Sequence, residues 1–325
     1  MADRLPRLAV VLLVALVVLL FLLPLMAGRY PVYLAIQILI LSVFALGFNL
    51  LFGYTGLLSF GQAGFFAVGA YGCAKILLAV PNLLLGLAGG VAAAGIAAVI
   101  LGFLSVRHTR IYFAMLTLAF GMMIYSIAWK WRDFTGGDDG LVGIPRAPIE
   151  IPGLFGLSVA TMERYYYVVL VLSLLAVWAM YRLVRSPLGL TLQAIRDSET
   201  RTEFAGIPVR AYRLVAFTIA GLYAGLAGAL LPPLENTVTP PYAHWSHSAE
   251  PVLATLLGGI HTFGGPIVGA FLFIMIKDII VRFTQYWLIW LGAIVVVLVL
   301  GFRGGVASVI MNRLLPRLLR IGSGR

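Results

Sequence analysis

The chain has 325 residues, of which 62% are hydrophobic and 11% charged; a soluble domain carries about 25% charged residues, so a soluble fold is excluded and a bilayer protein is indicated. Its 23 Lys and Arg against 12 Asp and Glu do not point to nucleic acid, because no basic stretch carries interleaved aromatics or a binding module. The one cysteine, Cys73, lies in an apolar run, which excludes a disulfide framework or a cysteine metal cluster within the chain.

A hydrocarbon core of ~30 Å takes about 20 apolar residues as helix. Such runs are predicted near 8–28, 31–52, 62–80, 83–106, 111–130, 165–183, 211–231 and 284–302, and a further region, 249–281, is apolar but interrupted. Arg4 and Arg7 precede the first run as in a signal peptide, yet no A-x-A-like cleavage site follows, so the run is expected to stay attached. The fold class is therefore all-α: one polytopic integral membrane domain, 1–325, with about eight to ten transmembrane helices.

Arginine-rich short loops stay in the cytoplasm. Segment 182–213 holds Arg182, Arg185, Arg196, Arg201, Arg210 and Arg213 against Asp197, Glu199 and Glu203, and the tail from Arg303 holds arginines and no acid. Both, with the turn 107–110 and both termini, are expected inside. The loop 131–163 and the segment 232–250, with only Glu235 and Glu250, are expected outside. Trp129, Trp131, Tyr165 to Tyr167, Trp245, Trp287 and Trp290 fall at the outer ends, as interfacial aromatics should. Six crossings then return the chain inside at 182–213. A single full crossing by 249–281 would leave the arginine tail outside, so that region is expected either to enter and return or to be two short pieces with a break.

The break has a visible cause in Gly258-Gly259-Ile260-His261-Thr262-Phe263-Gly264-Gly265-Pro266. A second glycine-broken stretch is Gly53-Tyr54-Thr55-Gly56-Leu57-Leu58-Ser59-Phe60-Gly61, followed by Gln62. Unwound backbone at membrane depth is tolerated only where protein or a water-lined cavity satisfies it. Ser59-Phe60-Gly61 followed by Val68-Gly69-Ala70-Tyr71 matches Thr262-Phe263-Gly264 followed by Val268-Gly269-Ala270-Phe271, which suggests an internal repeat. Interrupted segments in corresponding halves point to a translocation pathway, here Gly53, Tyr54, Gly56, Ser59, Gly61, Gln62, Gly258, Gly259, Thr262, Gly264 and Gly265. Chance matching among abundant small residues, or glycines serving close helix packing, is the competing explanation.

Enzymatic chemistry finds little support. Very few ionisable groups lie in the apolar runs: Lys75 is in the third, and the Lys277-Asp278 pair near the end of the interrupted region is expected to neutralise itself or reach an interface. No zinc pair of the H-E-x-x-H type, nucleophile elbow or intramembrane aspartate pair is present, and His244-x-x-His247 lacks a nearby third metal ligand. Asp138-Asp139, on the glycine-rich loop beginning Gly136-Gly137, reads as a solvated turn. No P-loop occurs, so an ATP-driven function must borrow its motor. Between Pro187 and Pro208 lies a stretch of helix formers closed by Gly206, read as one short charged helix suited to docking such a motor.

Four pieces in series, Asn49 to Phe66, Thr135 to Pro145, 186–208 and 258–266, resemble the permease subunits of bacterial ABC importers for branched-chain amino acids, of the LivM type. The resemblance implies a second similar permease subunit, two cytoplasmic ATPase subunits and a periplasmic solute-binding protein, with no cofactor. It implies that Glu203, Ala205, Gly206 and Ile207, preceded by Arg196 and Asp197, contact the ATPase, with Phe204 where that family's motif has alanine. It leaves Gly136, Gly137, Asp138 and Asp139 as the candidate docking loop for the binding protein. Related solutes served by the same family (urea, short amides, aromatic acids), an ion-coupled carrier and a membrane enzyme stay open.

Overall fold

The computed structural model describes residues 7–26, 28–108, 110–151, 155–301 and 305–306; Arg4, the middle of the 107–110 turn at Thr109 and the arginine-rich tail from Arg303 lie outside the described residues. The predicted apolar runs are helices: α1 (Arg7–Met26), α2 (Arg29–Asn49), α3 (Gln62–Ala79), α4 (Leu83–Ser105), α5 (Arg110–Lys130), α7 (Met162–Val184), α10 (Val209–Ala229) and α14 (Trp287–Gly301). Between them come short α6 (Arg132–Thr135), α8 (Pro187–Asp197), α9 (Glu199–Phe204) and α11 (Pro232–Glu235). The interrupted region is two helices, α12 (Trp245–Gly258) and α13 (Gly265–Phe283). Among the described residues six helical segments are long and apolar enough to cross a membrane, and these include α2 with the π-helical turn that extends it to Tyr54.

Large apolar side chains lie on the outside as well as in the core. Ile96, Ile100 and Phe103 of α4, Met115 and Met123 of α5, and Leu175 and Trp178 of α7 are large, apolar and exposed, the surface a bilayer solvates. Phe44, Phe65 and Phe217 fill the core, and where helices come closest the contact is made by small residues that let backbones approach, since apolar burial gives little drive between helices already in lipid. α3, α4 and α10 pack so tightly that a Cβ on Gly69 would lie 2.2 Å from the Gly225 carbonyl oxygen, and one on Gly228 1.9 Å from that of Phe66. α2 runs beside α10, with Gly47 against Tyr223.

α12 and α13 form an antiparallel hairpin, which resolves the crossing parity. A Cβ on Gly258 would sit 1.7 Å from the Gly265 carbonyl oxygen and one on Gly269 1.7 Å from that of Ala254. The turn 259–264 lies at the end of the bundle that carries the arginine-bearing 182–213 segment, where Phe263 meets Tyr181. The far end of α13 returns to the start of α2, where Tyr30 donates a hydrogen bond to Asp278. α14 then brings the chain back to the basic end. The hairpin is also asymmetric. α12 has only 14 residues and begins inside the fold, where His247 packs on Phe44 and Phe66 and Ser248 Oγ accepts from the Ala63 amide at 2.9 Å. The segment 232–250 is therefore an outer loop only in its first part.

The two matched motifs occupy like positions, each before a helix. Ser59-Phe60-Gly61 leads into α3 as Thr262-Phe263-Gly264 leads into α13, and Gly69 and Gly269 each press on a neighbouring backbone. They diverge in partner, since α3 packs on α4 and α10 while α13 folds back on α12.

Opposite the basic end, the loop after α5 is stitched to the turn after α10. β1 (Leu141–Val142) pairs antiparallel with β4 (Thr237–Val238), and Arg146 donates to the carbonyls of Pro233 and Leu234 at 2.8 and 3.3 Å. β2 (Ile149–Ile151) and β3 (Phe155–Leu157) form a separate hairpin.

Gly269→Leu forces side-chain atoms into the Ala254 carbonyl, where no rotamer relieves the clash; overpacking of this kind costs about 1–3 kcal/mol or more. Purified protein should show a lowered thermal midpoint by heated size-exclusion chromatography, whereas Gly264→Ala, with nothing within 4 Å of the added carbon, should match the parent.

Candidate functional site

Parts of two predicted site groups, the glycine-broken stretches and the arginine-bearing segment, meet at one point. The π-helical turn Leu50–Tyr54 widens the end of α2, and such a turn displaces backbone carbonyls from their regular helical partners. Thr55 Oγ1 folds back onto the Leu51 carbonyl, which also accepts from the Leu57 amide at 3.0 Å. The Gly53 carbonyl is claimed from outside: Arg196 Nη1 of α8 donates to it at 2.6 Å. On its other side a Cβ at Gly53 would come within 2.8 Å of the Ile260 carbonyl oxygen in the α12–α13 turn, and 2.2 Å of Asn49 Oδ1. Gly56, at φ 72°, lies under the Arg196 stem. Asp197 holds the other side of the guanidinium at 3.1 Å. Both glycine-broken stretches and the arginine-bearing segment therefore share a junction at the basic end, and Ile260, which no sequence pattern singles out, is part of it.

The arginine-bearing segment is two helices, not one. Ser198 adopts an extended conformation between them and its hydroxyl accepts from the Arg201 amide at 3.4 Å, capping α9. α8 is amphipathic, burying Leu192 and Ile195 while Leu190 is exposed. Glu199 of α9 is tied to Arg213 of α10 at 2.7 Å, and that arginine side chain is only 6% exposed. α9 ends on Gly206, left-handed at φ 80°, with Gly206 N donating to Glu203 O at 2.9 Å and Ile207 N to Thr202 O at 3.3 Å. This is a glycine helix stop satisfying the last carbonyls. Glu203, Phe204, Ala205 and Gly206 all face solvent, Phe204 at 88% exposure.

The remaining predicted residues lie apart from this junction. Gly61 abuts the Thr117 carbonyl, and Phe60 N donates to Thr117 Oγ1 at 3.3 Å. Ser59 and Gln62 are fully buried, and the Ser59 hydroxyl and both polar atoms of the Gln62 amide have no protein partner. Gly258, Gly259, Thr262, Gly264 and Gly265 form the hairpin turn, in which Thr262 Oγ1 donates to Gly259 O at 3.2 Å; Gly264 has open space around it. Gly136 and Gly137, both left-handed, present the exposed carboxylates of Asp138 and Asp139 at the opposite end of α5. Lys277 and Asp278 do not neutralise each other: Lys277 bonds Glu250 at 3.2 Å, and Asp278 bonds Arg282 at 2.8 Å. His244 and His247 go separate ways, to Ser246 Oγ at 2.9 Å and Glu250 at 3.3 Å.

A sequence model described as the permease component of the branched-chain amino acid transport system matches residues 30–302. The chain belongs to that family. It is 31% identical over 319 aligned residues, covering 89% of this chain and 72% of the relative, to the high-affinity branched-chain amino acid transport system permease protein LivM of Escherichia coli, and the same holds for LivM of Salmonella typhimurium. A ribose import permease protein, RbsC of Bacillus subtilis, is 30% identical over 34% of each chain. No solved structure matches. The relatives it matches are transport permease subunits.

Gly206→Val must hold a β-branched residue in the left-handed region, a cost of about 1–2 kcal/mol, although nothing crowds the position. The α9 tip should fray, seen as faster proteolysis between residues 199 and 208, while Gly206→Asn should stay close to the parent.

Proposed function

We propose that this chain is one of two similar permease subunits of an inner-membrane importer for branched-chain amino acids, powered by two separate cytoplasmic ATPases and fed by a periplasmic binding protein. The observation that carries the reading is the Arg196–Gly53 hydrogen bond with Ile260 against the same glycine. It ties a helix beside the exposed Phe204 tip to both glycine-broken segments, so a displacement of α8 reaches the 53–61 stretch directly and the α12–α13 turn through Gly53. A hydrogen bond from a charged donor is worth about 1.5–3 kcal/mol, enough to bias two arrangements of the glycine segments by roughly tenfold or more. The unpartnered Ser59 and Gln62 groups gain partners if the second arrangement admits water or solute along them. In this scheme the ATPases bind the α8–α9 surface, Gly136 to Asp139 receive the binding protein, and the 182–213 end is cytoplasmic.

Two measurements test the scheme. In vesicles holding the assembled transporter, Arg196→Ala should lower ATP-driven leucine uptake about tenfold or more while the complex still assembles and hydrolyses ATP; unchanged uptake would remove the coupling role. Uptake of an amide or an aromatic acid in place of leucine would redirect the solute and leave the coupling intact. In a Cys73→Ser background, Ser198→Cys should react with an impermeant maleimide only from the cytoplasmic face and Asp138→Cys only from the other.

A further inference from the structure

Away from the junction, a cavity of about 140 Å³ opens between α2, α11, α12 and α13, near the end of the bundle that holds the β1–β4 pairing. Roughly 30 Å³ accommodates one water, so the space fits a single small organic molecule. Its walls combine two features rarely found together inside a membrane protein. Ile40, Leu41 and Ile274 give an aliphatic side, while Glu235, His247, Glu250 and Lys277 give a charged one.

The carboxylates are not evenly paired. Lys277 and His247 both bind Glu250, at 3.2 and 3.3 Å. Glu235, by contrast, is held by a phenol: Tyr33 donates to it at 2.7 Å, and Gln37 donates in turn to Tyr33 at 2.8 Å. Among the described residues no ion pair reaches Glu235. His247 meets the Glu250 carboxylate through Nδ1, and its Nε2 is buried with no protein partner. Around it stand the rings of Phe44, Phe66 and Tyr242, with centroids 4.7–5.8 Å from the imidazole, and aromatic faces attract cations. A carboxylate with no ion-pair partner and three aromatic rings on one cavity share one requirement: a positively charged hydrogen-bond donor.

We infer that this cavity is a binding site for a primary ammonium group on a short aliphatic chain, with Glu235 as its anchoring anion. The aliphatic wall takes the chain. The proposed transport function supplies only the choice of leucine as one probe; the ammonium requirement rests on the cavity.

The test is equilibrium binding to the full-length chain in lipid nanodiscs, without ATPases, using leucine, isopentylamine and 4-methylpentanoate. Leucine and isopentylamine should bind and 4-methylpentanoate should not. Glu235→Gln keeps the size and an acceptor for Tyr33, and should weaken both binders about tenfold or more while the unliganded thermal midpoint stays unchanged. Ile274→Trp, which fills the aliphatic side, should abolish both by occlusion and serves if Glu235→Gln unfolds. Equal binding of 4-methylpentanoate, retained affinity in Glu235→Gln, or displacement of isopentylamine by sodium at equal concentration would overturn the inference. Absence of binding to the isolated chain, with leucine uptake intact in the assembled transporter, would also overturn it and leave the transport function standing.

Discussion

The bilayer interior offers no water to an unpaired backbone group, and that constraint shapes this molecule wherever its helices are interrupted. At the end of α2 the chain departs from regular helix and the Gly53 carbonyl is satisfied by Arg196. At the end of α12 the hairpin turn satisfies itself through Thr262. At the end of α10 the fully buried Tyr165 hydroxyl donates to the Leu230 carbonyl at 2.6 Å. Each repair is made by a different element from the one that broke, apart from the self-contained hairpin, and the repairs therefore double as links between elements.

Helix association follows a second consequence of the same solvent. Because exposed leucines and phenylalanines are already solvated by lipid, the bundle is joined by contacts of small residues and by a few hydrogen bonds. The α3–α4–α10 cluster shows this, with glycines and alanines from all three helices interleaved. Such interfaces are sensitive to a single added methyl group, yet they have little side chain to untangle, which suits helices that slide or tilt against one another.

Much of the architecture was legible in the sequence because its signals are one-dimensional. Hydropathy runs gave the helices, and glycine spacing located both interruptions. Three features were not. Ser198 divides a stretch of good helix formers through its own capping hydrogen bond, which competes locally with helix continuation. Ile260 and Gly53 meet although some two hundred positions separate them, and no local pattern reports such a contact. The cavity charges were scattered: Glu235 and Glu250 read as outer-loop acids and Lys277 as half of a neighbouring pair, whereas the fold brings them to one space. The i, i+3 spacing of His247 and Glu250 was the one available signal, and it reads as an ion pair only once α12 is known to begin inside the bundle.

The pairing of β1 with β4 gives the acidic loop a mechanical meaning. Two antiparallel residue pairs, Leu141 with Val238 and Val142 with Thr237, join a solvent-facing tip to the turn that follows Glu235. The 138–139 tip and the Glu235 rim of the cavity are therefore joined by backbone pairing, so a displacement of the tip would be felt at that rim.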